Sequence, residues 1–97
     1  MNKPDLIRHM GVSLKETTQE DLKQIMEIIL TSMADAMANG EHIEIRDFGS
    51  FNVRYREPRI ARNPRTGERV DMPGHYVPRF KAGGELRRRV DAGRKSV

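Results

Sequence analysis

Between residues 54 and 71 the chain carries six arginines, Arg54, Arg56, Arg59, Arg62, Arg65 and Arg69, and only four apolar residues, Tyr55, Ile60, Ala61 and Val70. So little apolar matter cannot build a core. A guanidinium, by contrast, is a planar fork of donors matched to phosphate oxygens and to base edges. At the middle of the stretch stands Arg62-Asn63-Pro64-Arg65-Thr66-Gly67, a strong turn signal. A proline at the tip of a cationic ribbon is a rigid apolar wedge, and minor-groove architectural proteins insert such wedges between base steps. A two-stranded ribbon also fits a groove. The plainer alternative is a disordered basic loop.

Other chemistry has little to stand on. His9, His42 and His75 fall in three different elements without metal-ligand spacing, and His42 reads as a surface residue. Cysteine is absent, which removes disulfides, thiolate nucleophiles and zinc–cysteine sites together. Asp47-Phe48-Gly49 spells a kinase tripeptide, but 97 residues are too few for that fold and its companion motifs are missing. Neither a nucleophile elbow nor a phosphate-binding glycine loop is present. The expectation is therefore no catalytic residue, no metal and no cofactor.

The charge is unevenly placed. Residues 1–51 carry five cations against nine carboxylates, a net −4, whereas residues 52–97 carry thirteen against five, a net +8. Eleven of those thirteen are arginine, a bias that solubility alone does not require. A polyanion partner, nucleic acid above all, is one reading, and a solvated basic face is the other. The start, Met1-Asn2-Lys3-Pro4-Asp5, has no apolar run behind it, and the best apolar stretch, Ile25 to Met37, is interrupted by Glu27 and Asp35. An intracellular soluble protein with no membrane partner is expected.

The elements that must position these residues can be read from periodicity. Residues 2–13 read as a helix capped by Asn2 with Asp5 answering, and Leu6, Ile7 and Met10 form its stripe. Thr17 or Thr18 starts a second helix of about 20 residues, ended by Gly40. Its face of Leu22, Ile25, Met26, Ile29, Met33 and Met37 is too broad for one short helix to cover, which predicts a core shared between two chains. The period then changes to two: Ile43 and Ile45, a turn at Asp47-Phe48-Gly49-Ser50, then Phe51, Val53 and Tyr55. Residues 54–71 form a long hairpin leaving the body, with Pro58 and Pro73 at edge positions. Alternation returns at Tyr76 and Phe80, Ala82-Gly83-Gly84 breaks the strand, and 85–92 forms a short basic helix followed by a tail, 93–97. The fold class is α+β: a single domain with a helical dimerisation part (1–40), a three-stranded antiparallel sheet with a protruding β-hairpin arm (41–81) and a short C-terminal helix.

From Gly40 to Leu86 several short motifs follow one another in order: Ile43-Glu44-Ile45-Arg46, Phe48-Gly49-Ser50-Phe51, Arg62-Asn63-Pro64-Arg65-Thr66-Gly67-Glu68, Tyr76-Val77-Pro78, Phe80-Lys81 and Glu85-Leu86-Arg87. In these the chain resembles the bacterial histone-like DNA-bending family, which includes HU and integration host factor, named examples of minor-groove benders. Glu44, Arg46 and Tyr76-Val77-Pro78 look most like the beta-type chains of integration host factor.

The resemblance implies an intertwined dimer, homotypic or with a related alpha-type chain, on double-stranded DNA in a bacterial nucleoid. It implies that Pro64 intercalates, with Arg62, Asn63 and Arg65 beside it in the minor groove and Arg54, Arg56, Arg59, Arg69, Arg79 and Lys81 along the duplex. Arg46, positioned by Glu44, is the implied groove contact of the body. Lys3, Gly83, Gly84 and Arg87 are the implied phosphate clamps at helix starts. Three positions depart from the family pattern: Asp47 stands where glycine is usual, and Ala82 and Gly84 replace a more usual proline and lysine. Three other readings remain: an unselective HU-type packing protein, a basic RNA-binding protein and a small enzyme.

Overall fold

A computed structural model describes residues 1–95 and divides the chain into two compact units, 1–35 and 36–97. In the first unit, α1 (Lys3–Ser13) opens on a reciprocal capping box. Asn2 Oδ1 accepts from the Asp5 N–H at 3.0 Å, and the Asn2 N–H donates to Asp5 Oδ2 at 3.1 Å. Pro4 sits in the first turn, where its missing donor costs nothing. The second helix, α2 (Gln19–Ala38), is capped by Thr18, whose hydroxyl accepts from the Asp21 N–H at 3.1 Å, so Thr18 rather than Thr17 begins it. Ile7, Leu22 and Met26 are buried together with Met10 packed on them, and Leu22 is fully enclosed.

That small core leaves most of the apolar face of α2 in the open. In the isolated chain Ile25, Ile29 and Leu30 remain 40–47% exposed and Ile28 64%. Among the described residues, no helix is long and apolar enough to cross a membrane.

The second unit begins with the last turn of α2. The Glu41 N–H donates to the Ala36 carbonyl at 3.0 Å and the Gly40 N–H to Met37 at 2.9 Å, a Schellman ending in which Gly40 takes φ +80°. Strands β1 (Ile43–Ile45), β2 (Gly49–Arg56) and β5 (His75–Ala82) form an antiparallel sheet in the order β1-β2-β5. The register places Ile43 opposite Phe51, Phe51 opposite Phe80 and Tyr55 opposite Tyr76. One face is therefore apolar, with Phe51–Phe80 ring centroids at 4.7 Å and Tyr55–Tyr76 at 5.0 Å. Gly49 is buried there, where a β-carbon would lie 2.5 Å from the Lys81 carbonyl oxygen and 2.7 Å from the Phe80 ring.

The expected long hairpin is two ladders rather than one. Strands β3 (Arg59–Arg62) and β4 (Arg69–Met72) form their own two-stranded sheet, separated from β2 and β5 by Glu57-Pro58 on one side and Pro73-Gly74 on the other. Pro58 and Pro73 do not sit on ribbon edges; they interrupt the ladder, since neither can donate to it. A β-carbon on Gly74 would overlap the Tyr55 hydroxyl and lie 3.1 Å from Pro58 Cδ, so the Tyr55 ring is seated against this break.

The last helix, α3, runs Gly84–Lys95. The expected tail is thus helical through Gly93, Arg94 and Lys95, while Ser96 and Val97 lie outside the described residues. Lys95 bonds back to Asp91 at 3.0 Å, and cations in a last turn suit the negative end of the helix dipole, which explains the extension past Ala92 despite Gly93.

Candidate nucleic-acid interface

The opposite face of the three-stranded sheet is polar by the same register. Glu44, Ser50 and Lys81 lie in one row across the three strands, followed by Asn52 beside Arg79, Arg54 beside Val77 and Arg56 beside His75. Alternation alone puts these side chains on one side, and antiparallel pairing brings residues distant in sequence into adjacent columns.

At the β1 end this face opens into a concavity of about 940 Å³ lined by Glu44, Arg46, Lys81, Gly83, Gly84 and Arg87, together with Ser50, Asp47, Glu85 and Arg88. Six residues expected from the sequence meet here. Arg46 is held out by the β1–β2 turn, closed by the Phe48 N–H on the Ile45 carbonyl at 3.0 Å. Asp47 takes φ +65° in that turn, a left-handed conformation that glycine adopts without strain and aspartate tolerates better than most. The Gly83 N–H donates to the Phe48 carbonyl at 2.8 Å, pinning the start of α3 to the same turn. The Arg87 N–H donates to the Gly83 carbonyl at 3.0 Å, making Gly83 the cap residue of α3.

A helix start aims unpaired N–H groups and the positive end of its dipole outward. Two guanidinium groups lie over this one: a β-carbon on Gly84 would be 3.2 Å from Arg88 Nη1 and 4.0 Å from Arg87 Nη2. Cations gathered at a positive helix end favour an anion. Ser50 and Arg88 are not among the contact residues expected from the sequence. Arg88 could have been, as part of the Arg87-Arg88-Arg89 run, whereas Ser50 depends on the strand register.

A second concavity, about 780 Å³, lies where the sheet meets the arm and is lined by Arg54, Arg56, Arg59 and Arg79, with Glu57 and His75 beside them. Arg59 and Arg69 also line a cleft on the arm itself, where Arg69 Nε donates to Asp71 at 3.2 Å.

At the tip the turn uses some of the groups that a groove was expected to receive. Asn63 Oδ1 accepts from the Arg65 N–H at 2.9 Å, and Arg62 Nη1 donates to the Gly67 carbonyl at 3.2 Å. Two backbone bonds complete the loop, Asn63 N–H to the Glu68 carbonyl at 2.8 Å and Gly67 N–H to the Asn63 carbonyl at 2.7 Å, with Gly67 at φ +70°. This turn holds Pro64 and Arg65 exposed. Lys3 lies at the start of α1 in the first unit, and its ammonium is paired with Glu27. The hydrogen bond from Lys3, reinforced by its charge, holds the Glu27 carboxyl below its ordinary range.

A sequence model of the family described as "Bacterial DNA-binding protein" matches residues 1–91. Integration host factor subunit beta from Azoarcus sp. (strain BH72) is 48% identical over 91 residues, 94% of this chain and 97% of that one. The subunit of that name from Aeromonas hydrophila is 47% identical with the same coverage. Among solved structures, HU from Anabaena in a cocrystal with DNA superposes with a TM-score of 0.84 at 31% identity, covering 93% of this chain and 97% of that one. HU from Thermotoga maritima gives 0.65 at 30%, over 93% and 98%. On a match spanning nearly its whole length, the chain belongs to the bacterial DNA-binding protein family of HU and integration host factor, and it resembles the integration host factor beta chains within it.

Proposed function

We propose that this chain is an architectural protein that binds duplex DNA as a dimer and bends it, without catalysing a reaction. The observation that carries the reading is the arginine path. The sheet's polar face leads from the concavity at Arg46, Lys81 and Arg87 through Arg54, Arg56, Arg59 and Arg79 to an arm whose exposed tip is Pro64. The HU neighbour, solved in a cocrystal with DNA, supports DNA as the ligand. In this reading Pro64 enters a base step while the arm lies in the minor groove, and Arg65 contacts the groove beside it. Asn63 and Arg62 act first by holding the turn. Smooth bending of a 20–30 base-pair site by 40–90° costs on the order of 1–6 kcal/mol, offset by phosphate contacts along the path.

A dimer is supported by the exposed row Ile25, Ile28, Ile29 and Leu30, and by the Phe48, Phe80 and Tyr76 rings, which are 42–72% exposed in the isolated chain. A second copy or a related alpha-type chain would cover them. In a cell such a protein belongs with the nucleoid.

Two measurements test this together. Native mass spectrometry, with and without an alpha-type partner, should give a dimer at micromolar concentration. End-labelled duplexes should show increased fluorescence transfer on binding, with an affinity that falls steeply with salt. A monomer, or binding without bending, refutes the reading. Competition between one preferred site and random duplex separates a site-selective bender from an unselective HU-type packing protein, and preference for single-stranded RNA would favour the RNA-binding reading.

A further inference from the structure

Helix α3 carries the lining of the first concavity away from it. Arg87 and Arg88 line that concavity, and Arg94 and Lys95 stand seven residues later, two turns on and about 10.5 Å further along the same helix faces. The family match ends at residue 91, so this last turn lies beyond the part of the chain that the family pattern describes. Arg94 has no carboxylate within 4.0 Å among the described residues. Lys95 bonds Asp91 at 3.0 Å, but both side chains are exposed, and such a pair is weak enough to exchange for a phosphate.

We propose that Arg94 and Lys95 form a phosphate-contacting extension of the interface, holding the flank of the same duplex that enters the concavity. The inference rests on the duplex-binding reading above and adds a contact to it. A phosphate at the start of α3 sits end-on to the helix, so the contact requires the bent duplex to run back beside α3; with one negative charge per roughly 1.7 Å of its axis, that flank would bring further phosphates to the last turn. The plain alternative is that these two cations only complement the negative end of the helix dipole. That role would lower helix stability when they are removed and leave DNA binding alone.

The test is the double variant Arg94→Ser/Lys95→Ser in the full chain, measured by anisotropy on blunt duplexes of increasing length at several salt concentrations. The native chain should keep gaining affinity with length beyond the point where the variant levels off. The variant's log–log salt slope should be shallower by about 0.9 or more, since each phosphate left without its cation keeps its counterions. A charge-preserving exchange, Arg94→Lys/Lys95→Arg, should keep the native slope. The proposal is overturned if the double variant matches the native chain in slope and length dependence, or if the exchange loses the slope as the serines do. It is equally overturned if only the joining of two separate duplexes is affected. Failure of the native chain to bind duplex at all would instead overturn the function proposed above.

Discussion

Asp47 adds a third carboxylate, beside Glu44 and Glu85, to the proposed interface. It lines the concavity shared by Arg46, Lys81, Arg87 and Arg88, and its φ of +65° fixes it in the turn that presents Arg46. If a phosphate seated among those cations stood about 8 Å from the carboxylate, the two charges would repel by Coulomb's law. At that separation two like charges repel by roughly 0.5 kcal/mol in water and roughly 2 kcal/mol at the effective dielectric of a protein surface. Removing the charge should therefore tighten binding by about twofold to about thirtyfold per protomer. Asp47→Asn isolates this effect, because asparagine accepts the left-handed backbone as aspartate does. Asp47→Gly also relieves the backbone, but glycine's extra unfolded-state freedom offsets much of that gain, on the order of 0.5–1 kcal/mol, so stability should change little. The assay is fluorescence anisotropy on a short duplex from low to high salt. The gain should shrink as the Debye length falls from about 10 Å at 0.1 M toward about 3 Å at 1 M. If Asp47→Asn binds no tighter at low salt, the carboxylate faces away from the phosphate path and the reasoning fails.

Three further outcomes follow from the geometry. Pro64→Ala should reduce the bend angle read by end-to-end fluorescence transfer, with a moderate loss of affinity on linear duplex and much less on nicked duplex, where deformation is already cheap; equal losses on both would make Pro64 a turn residue only. Gly74→Ala should push the Tyr55 ring off the break between the two ladders, speeding amide exchange across residues 55–76 and lowering the melting temperature, whereas Gly67→Asn, at a φ of +70° with nothing near its β-carbon, should be tolerated. Glu27 has its carboxyl lowered by Lys3, so the pair's contribution to stability is present above the unfolded carboxylate value and is lost as pH falls through the lowered folded value; Glu27→Gln should flatten that acid limb of the melting-temperature profile, and an unchanged limb would show that the pair adds nothing.

Residue type and spacing were enough for whatever is decided within a few residues. Asn2 with Asp5 and Gly40 mark helix ends legibly in the chain itself because capping is a local exchange of hydrogen bonds, and the same rule narrows the start of α2 to Thr17 or Thr18, of which the structure uses Thr18. The alternation from Ile43 to Tyr55 gave the sheet's two faces for the same reason, and the density of arginine between 54 and 69 pointed to a polyanion without any knowledge of the fold. The tertiary structure alone decided which side chains meet. Ser50 reached the concavity only through its register with Glu44 and Lys81, and Gly49 is glycine because Phe80, thirty-one residues away, lies over it. The arm read as one ribbon because Pro58 and Pro73 each look tolerable on an edge; placed opposite one another they stop the ladder, which single-strand reasoning cannot see. Lys3 looked like a free cation until the packing of α1 on α2 gave it Glu27, and Asn63 looked free for a groove until the turn claimed its oxygen. Local chemistry sets the elements, whereas the partners of a long, flexible, charged side chain depend on contacts distant in sequence.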